Sequence, residues 1–243
     1  MMARTTMLYG VMVVVAVALS APVFAQSRDG AHGPPHQHAA TTSQGDQWEG
    51  SAEEKAYSEF NHHLAGVFVL LIGLSELRTA LGAAMLAWTR FLLPVAMVGA
   101  GSFLIIWSDH DAWPIGSQSF LQSFVTGDFE TVQHKLYGIL LLGVGTIEML
   151  RRVGRIEQTA WGIPLPAFAI LGGAMLFLHS HGAHPAAHTI AMHHAVMGTM
   201  AIAAGSCKLV RVGSQAVGVR SGWELTWAGL ILLIAVELLI YAE

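Results

Sequence analysis

Apolar residues in this chain fall into six stretches of 17 to 20 residues, separated by polar connections. A hydrocarbon core about 30 Å thick needs about 20 helical residues at 1.5 Å per residue, so each stretch has the length of a membrane span. Pro94, Gly172 and Gly173 lie inside these stretches, as is typical of membrane helices, where small residues allow close packing. The pattern predicts an all-α, polytopic bundle of six transmembrane helices, at about residues 59–77, 91–107, 131–150, 163–181, 188–207 and 223–242.

Residues 1–25 predict a cleaved secretory signal peptide. Arg4 gives a positive start, residues 7–19 are apolar, and Val-Phe-Ala at 23–25 has the small-residue pattern of a cleavage site. An uncleaved anchor helix is the alternative, although 13 apolar residues are few for a span. Residues 26–57 are polar and without periodicity, which predicts a disordered periplasmic tail that carries His32, His36 and His38. Residues 58–243 are then the transmembrane domain.

The basic residues predict the orientation of the bundle. With the tail outside, three connections face the cytoplasm, and they hold eight Lys or Arg residues against three on the outer side. This distribution follows the positive-inside rule and predicts that both chain ends lie outside. Aromatic residues near the span ends are typical of membrane-surface belts: Trp88, Trp161, Trp223 and Trp227 on the inner side, and Trp107, Trp113 and Tyr241 on the outer side.

Composition excludes several classes of protein. Hydrophobic residues make up 53% of the chain and charged residues only 12%, about half the share of a soluble domain. A net charge of −4 gives no reason to expect a nucleic-acid partner. Cys207 is the single cysteine, so an intrachain disulfide and a thiolate cluster are excluded. No nucleophile–base triad, P-loop or dinucleotide fingerprint occurs, and we therefore expect no enzyme activity.

Histidine is the unusual residue of this sequence, because 13 histidines exceed the 12 lysines and arginines. On the predicted topology all 13 lie on the outer side. Ionisable groups inside a bilayer are costly and normally turn towards a partner or a site. A polar layer is therefore predicted in the outer leaflet, made of His62, His63, His134, His179, His193, His194 and Glu237.

Methionines accompany this layer. His193, Met197 and Met200 are spaced i, i+4, i+7 and share one helix face. Imidazole with thioether suits copper, and thioether favours Cu(I), although methionine in an apolar helix is also a common core residue. The predicted metal ligands are His62, His63, His134, His179, His181, His193, His194 and Met197, with accessory residues His32, His36, His38, Asp109, His110, His184, His188 and Glu237.

Acidic residues near the outer ends of the spans have two interpretations. Asp109 and His110 follow the second span and offer ligands at the membrane surface. Asp111 fits a solvated turn, and Glu130 fits a residue that complements the dipole of the third helix.

Four short motifs, taken together, carry a family resemblance. They are Phe-Asn-His-His-Leu-Ala-Gly at 60–66, Ser-Asp at 108–109 with Trp-Pro-Ile-Gly at 113–116, Gln-His-Lys at 133–135, and His-Ser-His at 179–181. In this order they resemble the copper-resistance protein D family of bacterial membrane proteins, over residues 58–243. The resemblance implies an inner-membrane protein that takes part in copper transport or tolerance, with copper ions and periplasmic copper-carrier proteins as partners. It transfers no catalytic residues.

Two other functions remain open from the residues alone. Histidines on facing helices at equal depth also suit the axial ligation of a single b-type haem near the periplasmic face. A proton relay through the histidines and Glu237 is the third interpretation, and it needs no metal.

Overall fold

The computed structural model describes residues 51–82, 87–126, 129–179, 186–214 and 222–242. Within these ranges the chain is helical and contains no strand. The signal peptide, the tail with His32, His36 and His38, and the connection with His181 and His184 lie outside the described residues. The six long helices are α1 (Ala52–Leu81), α2 (Leu92–Ile106), α3 (Phe129–Arg152), α4 (Pro164–Leu176), α5 (Ala187–Ser214) and α6 (Gly222–Leu239).

Helix α1 begins at Ala52, before the predicted span. The Ser51 hydroxyl accepts a hydrogen bond from the Glu54 amide at 3.1 Å, which caps the first turn and extends the helix towards the N-terminus. At the other end, Gly82 adopts a left-handed conformation with φ 61° and closes the helix. His62 consequently lies about three turns inside α1, whereas it is the fourth residue of the predicted span 59–77.

Five helical segments are long and apolar enough to cross a membrane, at Ala52–Leu81, Ala87–Ile106, Thr159–Leu176, Ala187–Gly213 and Gly222–Leu239. These five segments correspond to five of the six predicted spans and support a multi-pass membrane protein. Helix α3 is not among them, because Lys135 and Glu148 lie within its 24 residues and leave only residues 136–147 free of charge between them. Both charged side chains are buried against the other helices.

The helices form a closed ring. Each helix packs against its neighbours in sequence, and α6 returns to pack against α1. Glycines allow close approach at two of these contacts, Gly101 against Gly138 and Gly173 against Gly198, where an added Cβ would lie under 3.0 Å from the backbone carbonyl opposite. The interior is an apolar core that includes Leu93, Met97, Val144, Met197, Trp227, Ile231 and Leu238.

Polar side chains lie at both ends of this core. The histidine end holds Asp109, Glu237 and the imidazoles of α1, α3, α5 and the segment after α4. The arginine end holds Glu76, Glu148, Arg151, Arg152, Lys208, Arg211 and Glu224.

The aromatic-belt prediction is wrong for Trp227 and Tyr241. Both side chains are 1% exposed, whereas a belt residue faces the membrane surface. The Trp227 indole donates a hydrogen bond to Glu76 at 2.9 Å, and the Tyr241 ring stacks on His62. Both rings therefore lie inside the bundle, where Trp227 contacts Glu76 and Tyr241 contacts His62, and not at the membrane surface.

Candidate metal centre

Four imidazoles form a continuous row across the histidine end. His134 of α3 neighbours His179, which follows the end of α4, with 5.5 Å between ring centroids. His179 lies 4.8 Å from His194 of α5, and His194 lies 6.2 Å from His62 of α1. Four different segments therefore converge here.

Asp109 fixes one end of this row. Its Oδ1 lies 3.0 Å from Nδ1 of His134 and accepts a hydrogen bond from the Thr131 hydroxyl at 3.3 Å. Its Oδ2 accepts from the Ser108 hydroxyl and pairs with Nζ of Lys135 at 3.3 Å. Burial alone would raise the pKa of the Asp109 carboxyl, but His134, Ser108 and Lys135 outweigh it and hold that pKa below its ordinary value. Asp109 is therefore a carboxylate acceptor for the imidazole.

His179 is oriented in the same way by an amide. Its Nδ1 donates to the Gln133 Oε1 at 2.6 Å, and its Nε2 lies 3.8 Å from Oε1 of Glu130. Glu130, His134 and His179 each offer a ligand atom, and these three atoms lie within 4.8 Å of one another. Two nitrogens and one oxygen at this separation are a candidate metal site.

The hydrogen bonds of these two imidazoles suit metal binding. When Nδ1 of His134 and of His179 donates to Asp109 and to Gln133, Nε2 of each neutral ring has its lone pair for an ion. A ligating histidine usually donates a hydrogen bond from its second ring N–H to a carboxylate or carbonyl in this manner, which fixes the ring and raises its basicity. The donor set present therefore fits a metal ion.

Tyr241 organises the opposite end of the row. Its ring stacks on His62 with 3.9 Å between centroids and contacts His193 at 5.3 Å. Its backbone carbonyl accepts from Nε2 of His63 at 3.0 Å. His193 also lies 3.3 Å from a carboxylate oxygen of Glu237, and Nδ1 of His62 donates to the carbonyl of Ser58 at 2.8 Å.

Three other predicted residues lie apart from the row. His110 pairs with Asp111 at 3.1 Å on the loop after α2, with 41% of its side chain exposed. His188 is exposed at the start of α5. Met197 is 3% exposed and belongs to the apolar core, as the alternative interpretation of the methionines expects. His181, His184 and the histidines of the tail lie outside the described residues.

Glu130, Gln133 and Tyr241 were not predicted as parts of the site. Glu130 was assigned to the helix dipole and Tyr241 to a belt, while Gln133 received no role. One signal was present in the sequence, since Glu130, Gln133 and His134 are spaced i, i+3, i+4 and share a helix face. The contact with Tyr241 depends on the packing of α1 against α6 and has no local signal.

No protein-family model, curated protein or solved structure matches this chain.

Proposed function

We propose that this protein is an integral membrane protein that binds copper ions at its histidine end and takes part in copper transport or tolerance. The observation that carries the proposal is the convergence of Glu130, His134 and His179, whose ligand atoms lie within 4.8 Å of one another. The orientation of both imidazoles by Asp109 and Gln133 supports it, because that arrangement leaves Nε2 of each ring for an ion.

The donor chemistry favours Cu(II). Among divalent first-row ions, copper binds nitrogen and oxygen donors most tightly, and thioether or thiolate sulfur is what selects Cu(I). Glu130 contributes oxygen, and Met197 lies in the core rather than in the row. The histidines of the tail and the resemblance to the copper-resistance protein D family also support copper. Glu130, His134 and His179 would hold the ion, which adds positive charge to the site.

The membrane arrangement is part of the proposal. Helix α3 is the sixth span, since its 24 residues give about 36 Å of helix and its charges turn inward. The histidine end faces the periplasm of a bacterial inner membrane, and both ends of the mature chain lie on that side, after removal of the signal peptide. The apolar core between the two polar ends supports binding at one face rather than a continuous ion path.

A b-type haem is the second candidate. His62 and His194 come from different helices and neighbour each other, with 6.2 Å between ring centroids. Two histidines from different helices are the usual axial ligands of a b-type haem. A visible spectrum distinguishes the two candidates, because a haem protein shows a Soret band that shifts on reduction and a copper site of this type does not.

The test measures copper by elemental analysis of the purified full-length protein after loading and gel filtration. Because the tail histidines bind copper as well, the background variant carries Ala at His32, His36 and His38. In that background we expect bound copper, and its loss in the His134→Ala/His179→Ala variant. His110→Ala is the matched control, since His110 is exposed and lies apart from the row.

Retention of copper by the His134→Ala/His179→Ala variant, with the same stoichiometry as the control, would contradict the proposed site. Circular dichroism and gel filtration establish that each variant is folded. Competition with Zn(II) and Ni(II) tests the choice of ion, and preference for either metal over Cu(II) would contradict copper as the ligand.

A further inference from the structure

The loop between α2 and α3 exposes a series of apolar side chains at the histidine end of the bundle. The exposed fractions are 38% for Trp113, 49% for Ile115, 56% for Phe120, 66% for Leu121 and 68% for Val125. Residues 112–127 contain no Asp, Glu, Lys, Arg or His. Exposed apolar surface of this kind normally marks a site that contacts a membrane or another protein. We call residues 113–125 the apolar segment.

Polar groups of the apolar segment bond to one another inside the loop. Ser123 is 0% exposed, and its hydroxyl accepts a hydrogen bond from the Trp113 amide at 2.8 Å and donates to the carbonyl of Ser119 at 3.2 Å. The Gln118 amide donates to the carbonyl of Asp111 at 3.0 Å. Serine is usually an exposed residue, whereas leucine and phenylalanine are often buried. The segment therefore has the reverse of the arrangement that a loop in water adopts.

The exposed apolar side chains are arranged on a short helix. Residues 120–126 are helical, and Leu121 and Val125 are four residues apart, so they share a face. On the same helix, the Phe120 ring contacts Trp113 and Phe124, with 5.3 Å and 4.7 Å between ring centroids. These contacts fix the helix against the rest of the segment and leave one apolar face without cover from the described residues.

The position of the segment indicates what covers this face. Helix α2 belongs to a candidate membrane span, and Trp107, directly after it, is 51% exposed. At the other end of the loop, Phe129 begins α3 and is 54% exposed. The apolar segment thus continues the lipid-facing surface of two helices. A docking surface for a soluble protein normally has charged groups that steer its partner, and residues 112–127 supply none.

We propose that the apolar segment lies in the membrane leaflet at the histidine end, without crossing it. Acyl chains cover Leu121 and Val125, and Trp113 lies at the level of the headgroups, as tryptophan does at membrane surfaces. Backbone groups that enter a bilayer need partners within the protein, and the hydrogen bonds to Ser123 and Asp111 supply two of them. Asp109 lies in the same loop, so the leaflet anchors the loop that orients His134. Nothing in this proposal depends on a bound copper ion.

Spin labels test whether lipid or water surrounds the apolar segment. The full-length protein carries Cys207→Ser with either Leu121→Cys or Val125→Cys, and it is reconstituted in vesicles of phosphatidylcholine and phosphatidylglycerol. Oxygen concentrates in the hydrocarbon of a bilayer, whereas a hydrophilic nickel chelate stays in water. Power saturation of the electron paramagnetic resonance signal with each reagent therefore reports the surroundings of the label. We expect both labels to be more accessible to oxygen than to the chelate.

His110→Cys is the matched control, because His110 is 41% exposed on the same loop and lies beside the charged Asp111. Its label should be more accessible to the chelate than to oxygen. The same preference for the chelate at Leu121 and Val125 would overturn the proposal. Exclusion of both reagents, with magnetic broadening between labels, would show that a second copy of the chain covers the segment, and would also overturn it. Each of the two positions tests the proposal if the other variant fails to fold.

Discussion

Asp109, in the loop between α2 and α3, contacts both a buried lysine and the candidate metal ligand His134. One carboxylate oxygen accepts from His134 and the other pairs with Lys135, whose side chain is 0% exposed. Nζ of Lys135 also donates to the carbonyl of Ile105 at 2.9 Å. The buried ammonium depends on Asp109 for its neutralisation, since the remaining partners are uncharged carbonyls.

Asp109→Ala should lower the free energy of unfolding by about 3–5 kcal/mol, because it leaves Lys135 buried without an opposite charge. Thermal unfolding in detergent measures this loss. The double variant Asp109→Ala/Lys135→Met should regain most of the stability, as both charges are removed together. A single variant as stable as the wild type would show that the pair does not stabilise the fold.

His62, His134, His179 and His194 are predicted in one layer, because position along a span gives depth through the rise of the helix. The structure places their imidazoles in one row. Which side chains meet within the layer depends on the packing of different helices, and for that reason Glu130 and Tyr241 were assigned other roles.

Helices α4 and α5 are brought together by two glycines. The Cβ of a residue in place of Gly173 would lie 2.7 Å from the carbonyl oxygen of Gly198, and the reverse holds at Gly198. These contacts involve backbone, which cannot rotate away as a side chain can. Since His179 follows α4 and His194 lies one turn before Gly198 in α5, the glycine contact sets the distance between the two imidazoles.

Gly198→Ala should lower the stability by about 1–3 kcal/mol, since an extra methyl group overpacks this helix contact. Gly143→Ala is the control, because no atom lies within 4 Å of its added Cβ and alanine favours the helix. Unfolding of both variants in detergent provides the comparison. If Gly198→Ala proved as stable as Gly143→Ala, the close approach of α4 and α5 would be contradicted.

The sequence predicted the positions of all six helices, because apolar stretches of spanning length leave few alternatives. It was less accurate at their ends. The cap at Ser51 extends α1, and α4 ends at Leu176, before the predicted boundary. Helix α3 departs furthest from the predicted pattern, because it contains two buried charges. Lys135 pairs with Asp109 of the loop after α2, and Glu148 pairs with Arg151 of the same helix.

At the scale of the whole molecule, Glu76 ties several helices together at the arginine end. This carboxylate of α1 contacts Arg152 of α3, Lys208 of α5 and Trp227 of α6. Arg152 also donates to the backbone carbonyl of Arg90 before α2. The positions of Arg152 and Lys208 in the sequence indicate the orientation of the bundle, but no local pattern connects them to Glu76, because these residues lie far apart in the chain.

Glu76→Gln should destabilise the bundle by about 1–3 kcal/mol, since it weakens the hydrogen bonds from Arg152 and Lys208, which keep their pairs with Glu148 and Glu224. Glu157→Gln, at an exposed position near the same end, should change stability little. Melting temperatures of both variants in detergent check the difference. An unchanged melting temperature for Glu76→Gln would show that this network does not hold the helices together.

The orientation of the bundle predicts which end reacts with an impermeant reagent. In a Cys207→Ser background, His110→Cys should be labelled by a membrane-impermeant maleimide in intact spheroplasts, because His110 lies at the histidine end. Arg155→Cys should be labelled only after lysis, since it belongs to the connection between α3 and α4. The opposite pattern would invert the proposed topology and place the histidine end in the cytoplasm.

We propose that His134 and His179 hold a copper ion together with Glu130. Electron paramagnetic resonance of the Cu(II)-loaded protein, in the background that lacks the three tail histidines, tests it most directly. We expect a Cu(II) signal with coupling to imidazole nitrogen in the background variant and its loss in His134→Ala/His179→Ala. A nitrogen-coupled signal that persists unchanged in that variant would show that these two histidines do not hold the ion.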